Sequence, residues 1–329
     1  MSRLTKAVAG SLALALVTGT IPAYAAKVTD NLKVNGKVFA DYQSVSGNAL
    51  SADDDAASGF HFTRAYFETR YMPDADNMIR ITLDQKETDA ASGVFVKYAY
   101  WQHKMNDNAT IKFGQHHTPL VDYLQTKMWG HRYVAKTFTD AVGAETSSDL
   151  GVSVAGKASD TIDYYVSYMN GEGYTKTPDG AGAAILGRAE FHTGGIHVGA
   201  YAHSETKRSG TADYDPSRQV VYAWWENDTL QIGGQYLTAD DGTAATTFDN
   251  GTGYNVVANI QLPSMGKKTT LFARYDTMDA KDTGSDTTLT IAGVEFEAAP
   301  GVMLAPNVQT ADDGTDSVTT VGINGQFKF

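Results

Sequence analysis

The chain has 329 residues, no cysteine and a formal net charge of −12. The lack of cysteine excludes disulfides, thiolate metal sites and covalent haem attachment, and the acidic balance argues against nucleic acid as a partner. After the first 25 residues the chain has no apolar run long enough for a membrane-spanning helix. The composition, with 18 Tyr, 13 Phe and 32 Gly, fits a barrel that has one face toward lipid and one toward water.

The first 25 residues have the order of a secretory signal peptide. A basic start is followed by an apolar run over 7–17 and by a small-x-small cleavage site that ends at Ala25. The apolar run is too short to be a transmembrane anchor. We therefore predict a cleaved signal peptide, residues 1–25, and a mature domain of residues 26–329.

Apolar and polar residues alternate in sixteen segments of the mature chain. In one of them Ile79, Ile81 and Leu83 alternate with Arg80 and Thr82. Side chains of a strand point to opposite faces in turn, so each segment predicts a strand with one apolar and one polar face. The predicted strands lie near 31–43, 59–72, 78–86, 93–103, 109–115, 149–156, 161–169, 183–193, 196–204, 217–226, 229–238, 253–262, 268–276, 287–297, 302–309 and 317–329.

The connections between these predicted strands alternate in length. Short turns such as 73–77 are followed by longer loops such as 44–58 and 170–182. An up-and-down transmembrane barrel has this asymmetry, whereas a soluble secreted β-protein, the alternative at the level of fold, has no reason for it. The last strand also ends on Phe329, which resembles the C-terminal signature of bacterial outer-membrane barrels. We predict an all-β fold, an antiparallel transmembrane β-barrel of sixteen strands.

One connection, residues 116–148, is far longer than the others. It contains Tyr123, Met128, Trp129, Tyr133 and Phe138, more large apolar side chains than a solvated loop carries. Long loops with their own hydrophobic anchors are usually folded and functional. We predict that this third loop folds into the barrel, with an ordered external lid as the alternative.

Four short segments along the chain resemble landmarks of one family. They are Thr63–Tyr66, Gly114–Pro119, Ser148–Val152 and Tyr165–Gly171. In this order and spacing the chain resembles the phosphate-selective porin O and P family, and a fifth segment, Phe272–Asp276, resembles one that is common in porins generally. The resemblance implies a trimeric channel of sixteen strands whose third loop is the constriction. Thr63 and Ser148 stand where the family often has arginine, so the resemblance does not carry phosphate selectivity with it.

In a porin, charged side chains around the narrowest point set the selectivity. The predicted pore-lining residues of the third loop are Asp122, Lys127, His131, Arg132, Lys136, Asp140 and Glu145. Those of the polar strand faces are Arg64, Arg70, Arg80, Lys97, Arg188 and Arg274, opposed by Glu68, Asp84, Glu190 and Asp276. The alternative is that these side chains form ordinary salt bridges on a wet face, each of little energetic value.

Acidic residues collect in the long loops, at 53–55, 240–241, Asp279, Asp282 and 312–313. A solvated surface is the simplest interpretation, and divalent cations bridging these loops to lipopolysaccharide are the alternative. An acidic mouth favours cations whereas a basic third loop favours anions, so the sequence leaves the preferred sign open.

Neither a metal site nor an active site is predicted. His116, His117 and His131 could approach one another, but adjacent residues of a regular strand point in opposite directions and cannot both ligate. Serine, histidine and asparagine are present without a nucleophile elbow or other local signature of a hydrolase. We expect no cofactor and no catalysis.

The sequence therefore predicts a porin of the bacterial outer membrane, a water-filled channel for passive diffusion of small hydrophilic solutes or ions. We expect contacts with membrane lipid and lipopolysaccharide, and the resemblance implies a homotrimer. Two alternatives stay open: a scaffolding barrel that sheathes a partner such as an electron-transfer protein, and an outer-membrane lipid hydrolase.

Overall fold

The computed structural model describes residues 31–47, 58–86, 93–176, 183–209, 212–240, 242, 251–263, 268–280 and 285–329. The expected signal peptide lies outside these described residues, as do the acidic cluster at 53–55, residue 241 and Asp282.

Eighteen strands are present in the part of the chain that the structure describes. They are β1 (Leu32–Gly47), β2 (Gly59–Tyr71), β3 (Asn77–Lys86), β4 (Val94–Asn106), β5 (Ala109–His117), β6 (Ser148–Ser159), β7 (Ile162–Met169), β8 (Ala184–Thr193), β9 (Ile196–Ser204), β10 (Lys207–Ser209), β11 (Ala212–Tyr214), β12 (Ser217–Glu226), β13 (Leu230–Asp240), β14 (Gly251–Gln261), β15 (Thr269–Ala280), β16 (Ser285–Ala299), β17 (Val302–Asp312) and β18 (Ser317–Lys328).

All of these strands except β10 and β11 form one closed barrel. Each barrel strand pairs antiparallel with its neighbours along the chain, and β18 closes the barrel on β1 with Val38 opposite Phe327 and Ala40 opposite Gly325. The sixteen-stranded antiparallel barrel predicted from the alternation is confirmed. The short hairpin of β10 and β11, in the loop between β9 and β12, was not predicted.

The barrel carries its apolar side chains on the outside. On β3 the side chains of Ile79, Ile81 and Leu83 are between 37% and 46% exposed, whereas Thr82 and Asp84 are only 2% and 0% exposed. A large apolar exterior is unfavourable in water and is typical of a barrel that faces lipid. No helix among the described residues is long and apolar enough to cross a membrane.

The third loop, residues 118–147, connects β5 to β6 and lies inside the barrel. It contains α1 (Val121–Leu124), a turn of π-helix at Gln125–Trp129 and α2 (Phe138–Ala141). Gly130, with φ of +81°, ends the π turn in the left-handed region that favours glycine, and its N–H donates to the carbonyl of Gln125 at 2.9 Å. These short helices were not predicted, because each spans little more than one turn and shows no helical period.

The core of the molecule lies between this loop and the inner wall of the barrel. Leu120, Leu124, Met128, Trp129 and Phe138 of the loop are at most 1% exposed. These side chains belong to one core cluster with apolar residues on the inner face of the strands, namely Leu186, Leu237, Val257, Phe272 and Ile291. Each Å² of apolar surface that is buried contributes about 25 cal/mol, and this burial stabilises the loop in its position. The predicted inward fold of the third loop is confirmed.

Candidate functional site

The tip of the third loop is fixed to the wall formed by β14, β16 and β18. The ring of His131 lies 3.1 Å from Oε2 of Glu295 through Nδ1 and 3.0 Å from Oδ1 of Asn259 through Nε2. The hydroxyl of Tyr133 donates to the same oxygen of Glu295 at 2.7 Å, and the side-chain amide of Asn324 donates to the carbonyl of Tyr133 at 3.2 Å. The predicted site residue His131 thus fastens the loop to the wall.

The loop has a second polar attachment at Lys136, to the wall strand β15. Arg274 donates through Nε to Oδ1 of Asp276 at 2.8 Å and through Nη1 to the backbone carbonyl of Lys136. Arg274 is 2% exposed, so this guanidinium is a buried link between loop and wall. Because its five N–H donors have a fixed planar arrangement, an arginine can hold a carboxylate and a carbonyl at once.

Glu145 forms a third attachment, near the end of the loop. Its Oε1 accepts from the hydroxyl of Tyr201 at 2.9 Å and lies 2.6 Å from Nδ1 of His203, and the residue is 4% exposed. On the other wall Glu190 is also enclosed, accepting from Tyr123 of the loop at 2.5 Å while Arg188 lies 3.5 Å away. Glu145 and Glu190 therefore hold the loop and do not project into open space.

Asp122, at the start of the loop, faces the wall formed by β4 and β5. Its carboxylate is bound by the hydroxyl of Tyr98 and by the ring of His117. Burial by itself would raise the pKa of Asp122, but His117, which is protonated at the acidic pH where Asp122 titrates, lowers it well below the usual range through its charge and its hydrogen bond. The carboxylate stays ionised and attaches the loop to the wall formed by β4 and β5.

Several predicted cations of the strands form ion pairs on the inner face. Nη2 of Arg64 lies 2.7 Å from Oδ2 of Asp84, and both side chains are at least nine-tenths buried. Glu68 accepts from both Arg70 and Arg80, although the Arg70 side chain remains 42% exposed. The charges of the Arg64–Asp84 pair cancel over a short distance, whereas Glu68 balances only one of its two arginines.

Five other cations of the loop and of the β1–β5 wall have no Asp or Glu within ion-pair distance among the described residues. These cations are Lys37, Lys97, Lys112, Lys127 and Arg132. Lys136 of the loop differs from them, because it lies 3.3 Å from Asp140. The β1–β5 wall and the loop face in front of it therefore carry uncompensated positive charge.

Lys97 lies at an irregularity that sequence reasoning missed. In the pairing of β3 with β4, Thr82 is opposite Tyr98 and Leu83 is opposite Val96, so Lys97 is an extra residue, a β-bulge. The bulge turns Lys97 and Tyr98 to the same inner face, where they are 5% and 3% exposed. The signal in the sequence was the pair Lys97-Tyr98 itself, two large residues with polar groups in succession within an alternating strand.

The carbonyl that the bulge removes from the ladder is satisfied by side chains. The hydroxyl of Ser148 donates to the carbonyl of Lys97 at 2.8 Å, and Nε2 of Gln115 donates to it at 3.0 Å. Buried backbone carbonyls are rarely left without a donor. A small hydroxyl at residue 148, where the resembled family often has arginine, thus has a structural task here.

A second bulge lies on β2. Arg64 is opposite Phe39 and Phe62 is opposite Ala40, which leaves Thr63 as the extra residue. The bulge brings Arg64 to the inner face, beside Asp84. Thr63 is the other position at which the sequence departs from the resembled family.

The described residues contain no group of three or more His, Asp or Glu side chains that could hold a metal ion. His116 is buried with Nδ1 3.0 Å from the carbonyl of His117, while His117 binds Asp122. His131 is engaged with Glu295 and Asn259. The three histidines considered as ligands from the sequence therefore have separate partners.

Comparison with known proteins identifies the architecture. No family model and no curated protein match the sequence. Solved structures do: an anion-selective porin from Comamonas acidovorans is 14% identical with a TM-score of 0.65, covering 91% of this chain and 99% of that one. This chain has a porin fold. OprB from Pseudomonas putida, at 11% identity and a TM-score of 0.66, covers 93% of this chain and 96% of its own. A mutant of the Rh. blastica porin, at 19% identity and a TM-score of 0.60, covers 91% and 100%.

Proposed function

We propose that this chain is an outer-membrane porin, which passes small hydrophilic solutes or ions by passive diffusion through a water-filled channel. One observation carries the proposal: a barrel that is apolar outside and charged inside contains a folded loop fastened to its inner wall. A loop in this position narrows the channel at mid-height, where side chains control passage. The porin fold of the solved structures supports the same conclusion.

We propose that the constriction lies beside the β1–β5 wall, which the loop reaches through Asp122, because the other polar attachments of the loop lie on β8, β9 and β13–β18. The cations without carboxylate partners are on this wall and on the loop. We therefore propose a preference for anions, with Arg132 and Lys97 closest to the solute. The similar barrel from Comamonas acidovorans is described as anion-selective, which supports this sign. The resemblance to phosphate-selective porins adds no support for phosphate itself.

The predicted site residues have two roles in this proposal. Those with solvent-exposed or unpaired charges line the pore, and those with buried partners hold the loop in place. The pore-lining group comprises Lys127, Arg132, Lys136, Asp140 and Arg70, with Lys97. Arg64 and Arg80 belong to neither group, because they form ion pairs with Asp84 and Glu68 within the inner wall. The positioning group comprises Asp122, His131, Glu145, Arg188 and Arg274.

Export and assembly complete the proposal. We propose that the signal peptide, residues 1–25, is removed on export and that residues 26–329 insert into the outer membrane. There the apolar exterior contacts lipid, and the long loops contact lipopolysaccharide. We also propose a homotrimer without cofactor or catalytic activity.

A planar bilayer experiment tests the channel directly. Full-length mature protein in a KCl gradient should give discrete conductance steps and a reversal potential of the sign expected for Cl⁻ as the preferred ion. Cation-selective steps would contradict the anion preference and assign control to the acidic loops. Silence from protein that is demonstrably folded and inserted would contradict the channel and favour the scaffolding barrel.

A further inference from the structure

We propose that the bulge at Lys97 builds a binding subsite for organic monoanions, namely a carboxylate attached to an aromatic or similarly flat apolar group. This inference rests on the proposed function and names the class of solute that the channel favours. It follows from a buried ammonium, from the tyrosine rings around it and from the balance of charges nearby.

The ammonium of Lys97 is nearly enclosed, and no carboxylate of the described residues forms an ion pair with it. The residue is 5% exposed, and its Nζ lies 5.3 to 5.6 Å from the ring centres of Tyr66, Tyr98 and Tyr174. Cation–π contacts with these rings stabilise the ammonium. A buried ammonium has lost much of its hydration, so an anion that reaches it gains an interaction that water supplies poorly.

The acids of this wall are already committed to other groups. Asp84 is bound by Nε and Nη2 of Arg64, at 3.0 and 2.7 Å. Asp122 is bound by Tyr98 and His117. Neither carboxylate forms an ion pair with Lys97. The ammonium therefore stays available to a solute.

The local charge balance fits a single negative charge. Arg132 of the third loop is close enough to interact electrostatically with both Lys97 and Tyr66. Arg80, which lies over Tyr98, is paired with Glu68 and does not change the balance. With His117 counted as neutral, the three other cations Arg64, Lys97 and Arg132 face two carboxylates, Asp84 and Asp122, which leaves a net charge of 3 − 2 = +1. One carboxylate neutralises it. Phosphate is recognised best by several arginine forks together, and of the two arginines in this count Arg64 already uses its fork on Asp84, which leaves Arg132 alone.

The body of the solute would meet aromatic surface. The rings of Phe95 and Tyr174 lie 5.7 Å apart at the long-loop side of Lys97, and the ring of Tyr98 is stacked on His117 with centres 4.1 Å apart. Arg64 also lies over Tyr66, 5.4 Å from the ring centre. Flat apolar groups gain both burial and ring contacts in such surroundings. Small inorganic anions gain neither.

Equilibrium binding to the detergent-solubilised mature protein, by titration calorimetry, tests the subsite. Benzoate should bind at least tenfold more tightly than acetate or phosphate. Lys97→Met should weaken benzoate binding at least tenfold, while Lys104→Met, a lysine at the short-turn end of the same strand, should change it less than twofold. Heat-modifiable gel mobility establishes that each variant is a folded barrel.

A second variant separates the ring contacts from the charge. Tyr174 lies in the loop after β7, outside the barrel strands, so Tyr174→Ala should leave the barrel intact. It should reduce the preference for benzoate over acetate severalfold and leave acetate binding almost unchanged. Equal binding of phosphate and benzoate, or unchanged benzoate binding in Lys97→Met, would overturn the subsite.

Bilayer recordings on the same protein distinguish the two proposals. Conductance steps that benzoate blocks in the wild type but not in Lys97→Met support both. Steps without any preferential benzoate binding in the calorimeter leave a porin and overturn the subsite. Benzoate binding by folded, inserted protein that never conducts overturns the channel and leaves the subsite standing.

Discussion

The ring of Phe138, on the inward-folded loop, lies directly against the backbone of Gly253 on β14, where a Cβ would come 2.7 Å from its Cζ. The same Cβ would lie 2.5 Å from the carbonyl oxygen of Thr277 and 2.8 Å from the sulfur of Met278. We expect Gly253→Ala to cost about 1–3 kcal/mol through overpacking and to loosen the loop. Urea unfolding in detergent should show the lower stability, and single-channel recordings should show noisier open states.

Gly187 on β8 provides the matched control, since a Cβ there would meet no atom within 4 Å. Gly187→Ala should change neither the free energy of unfolding nor the noise of the open channel. If Gly253→Ala behaves in the same way, the loop is not held by this contact.

The Arg274–Asp276 pair gives a second prediction about the loop. Arg274→Met would leave Asp276 buried with Asn255 as its remaining donor, and would leave the carbonyl of Lys136 without Arg274. Breaking a buried ion pair by removing one partner costs about 3–5 kcal/mol. We expect a loss of that order in the unfolding free energy, together with a higher conductance because the loop moves from the wall.

The double variant Arg274→Met with Asp276→Leu separates charge burial from loop attachment. It should recover much of the stability, because no unpaired charge is left, yet keep the altered conductance, because Lys136 still lacks its donor. Recovery of both properties would mean that the arginine does not position the loop.

The strands and the inward loop could be predicted from the sequence because both depend on local composition. Alternation in segments such as 78–86 is a direct consequence of a sheet with two different faces. Trp129 and Phe138 cannot be placed in a solvated loop without exposing large apolar surface. Such signals need no knowledge of distant residues.

The bulges and the roles of individual charges could not be predicted in this way. The bulge at Lys97 depends on Ser148 and Gln115, which supply donors from elsewhere in the chain. Likewise Glu145 has its partners at Tyr201 and His203. A single sequence shows which residues carry charge, but the partner that cancels a charge is set by the register of the closed barrel.

Arg132 provides a prediction on selectivity. It is a partly exposed cation of the loop with no carboxylate at ion-pair distance among the described residues, and in the proposed channel we expect its charge to act on the solute. Arg132→Gln should shift the reversal potential in a KCl gradient toward that of K⁺, and the shift should shrink at high salt as screening increases. Lys157→Gln, at the short-turn end of β6, serves as the control with the same change in charge. An equal shift in both variants would assign selectivity to the overall charge of the protein.

Glu205, which follows β9, gives a prediction on pH. Burial by itself would raise the pKa of Glu205, but the hydrogen bond of His203 and the charges of Arg218 and Lys207 lower it from its ordinary value of 4.5 to about 2. A carboxylate with a lowered pKa stabilises the folded state above its unfolded pKa, and this contribution disappears as the pH falls through the folded pKa. The shift corresponds to about 3 kcal/mol. The unfolding free energy of the wild type should therefore exceed that of Glu205→Gln at pH 7, and the difference should close between pH 4.5 and about pH 2.

Asp228→Asn, in the exposed turn between β12 and β13, should follow the wild type at every pH. A constant difference between wild type and Glu205→Gln over this range would show that Glu205 acts through packing and not through its charge.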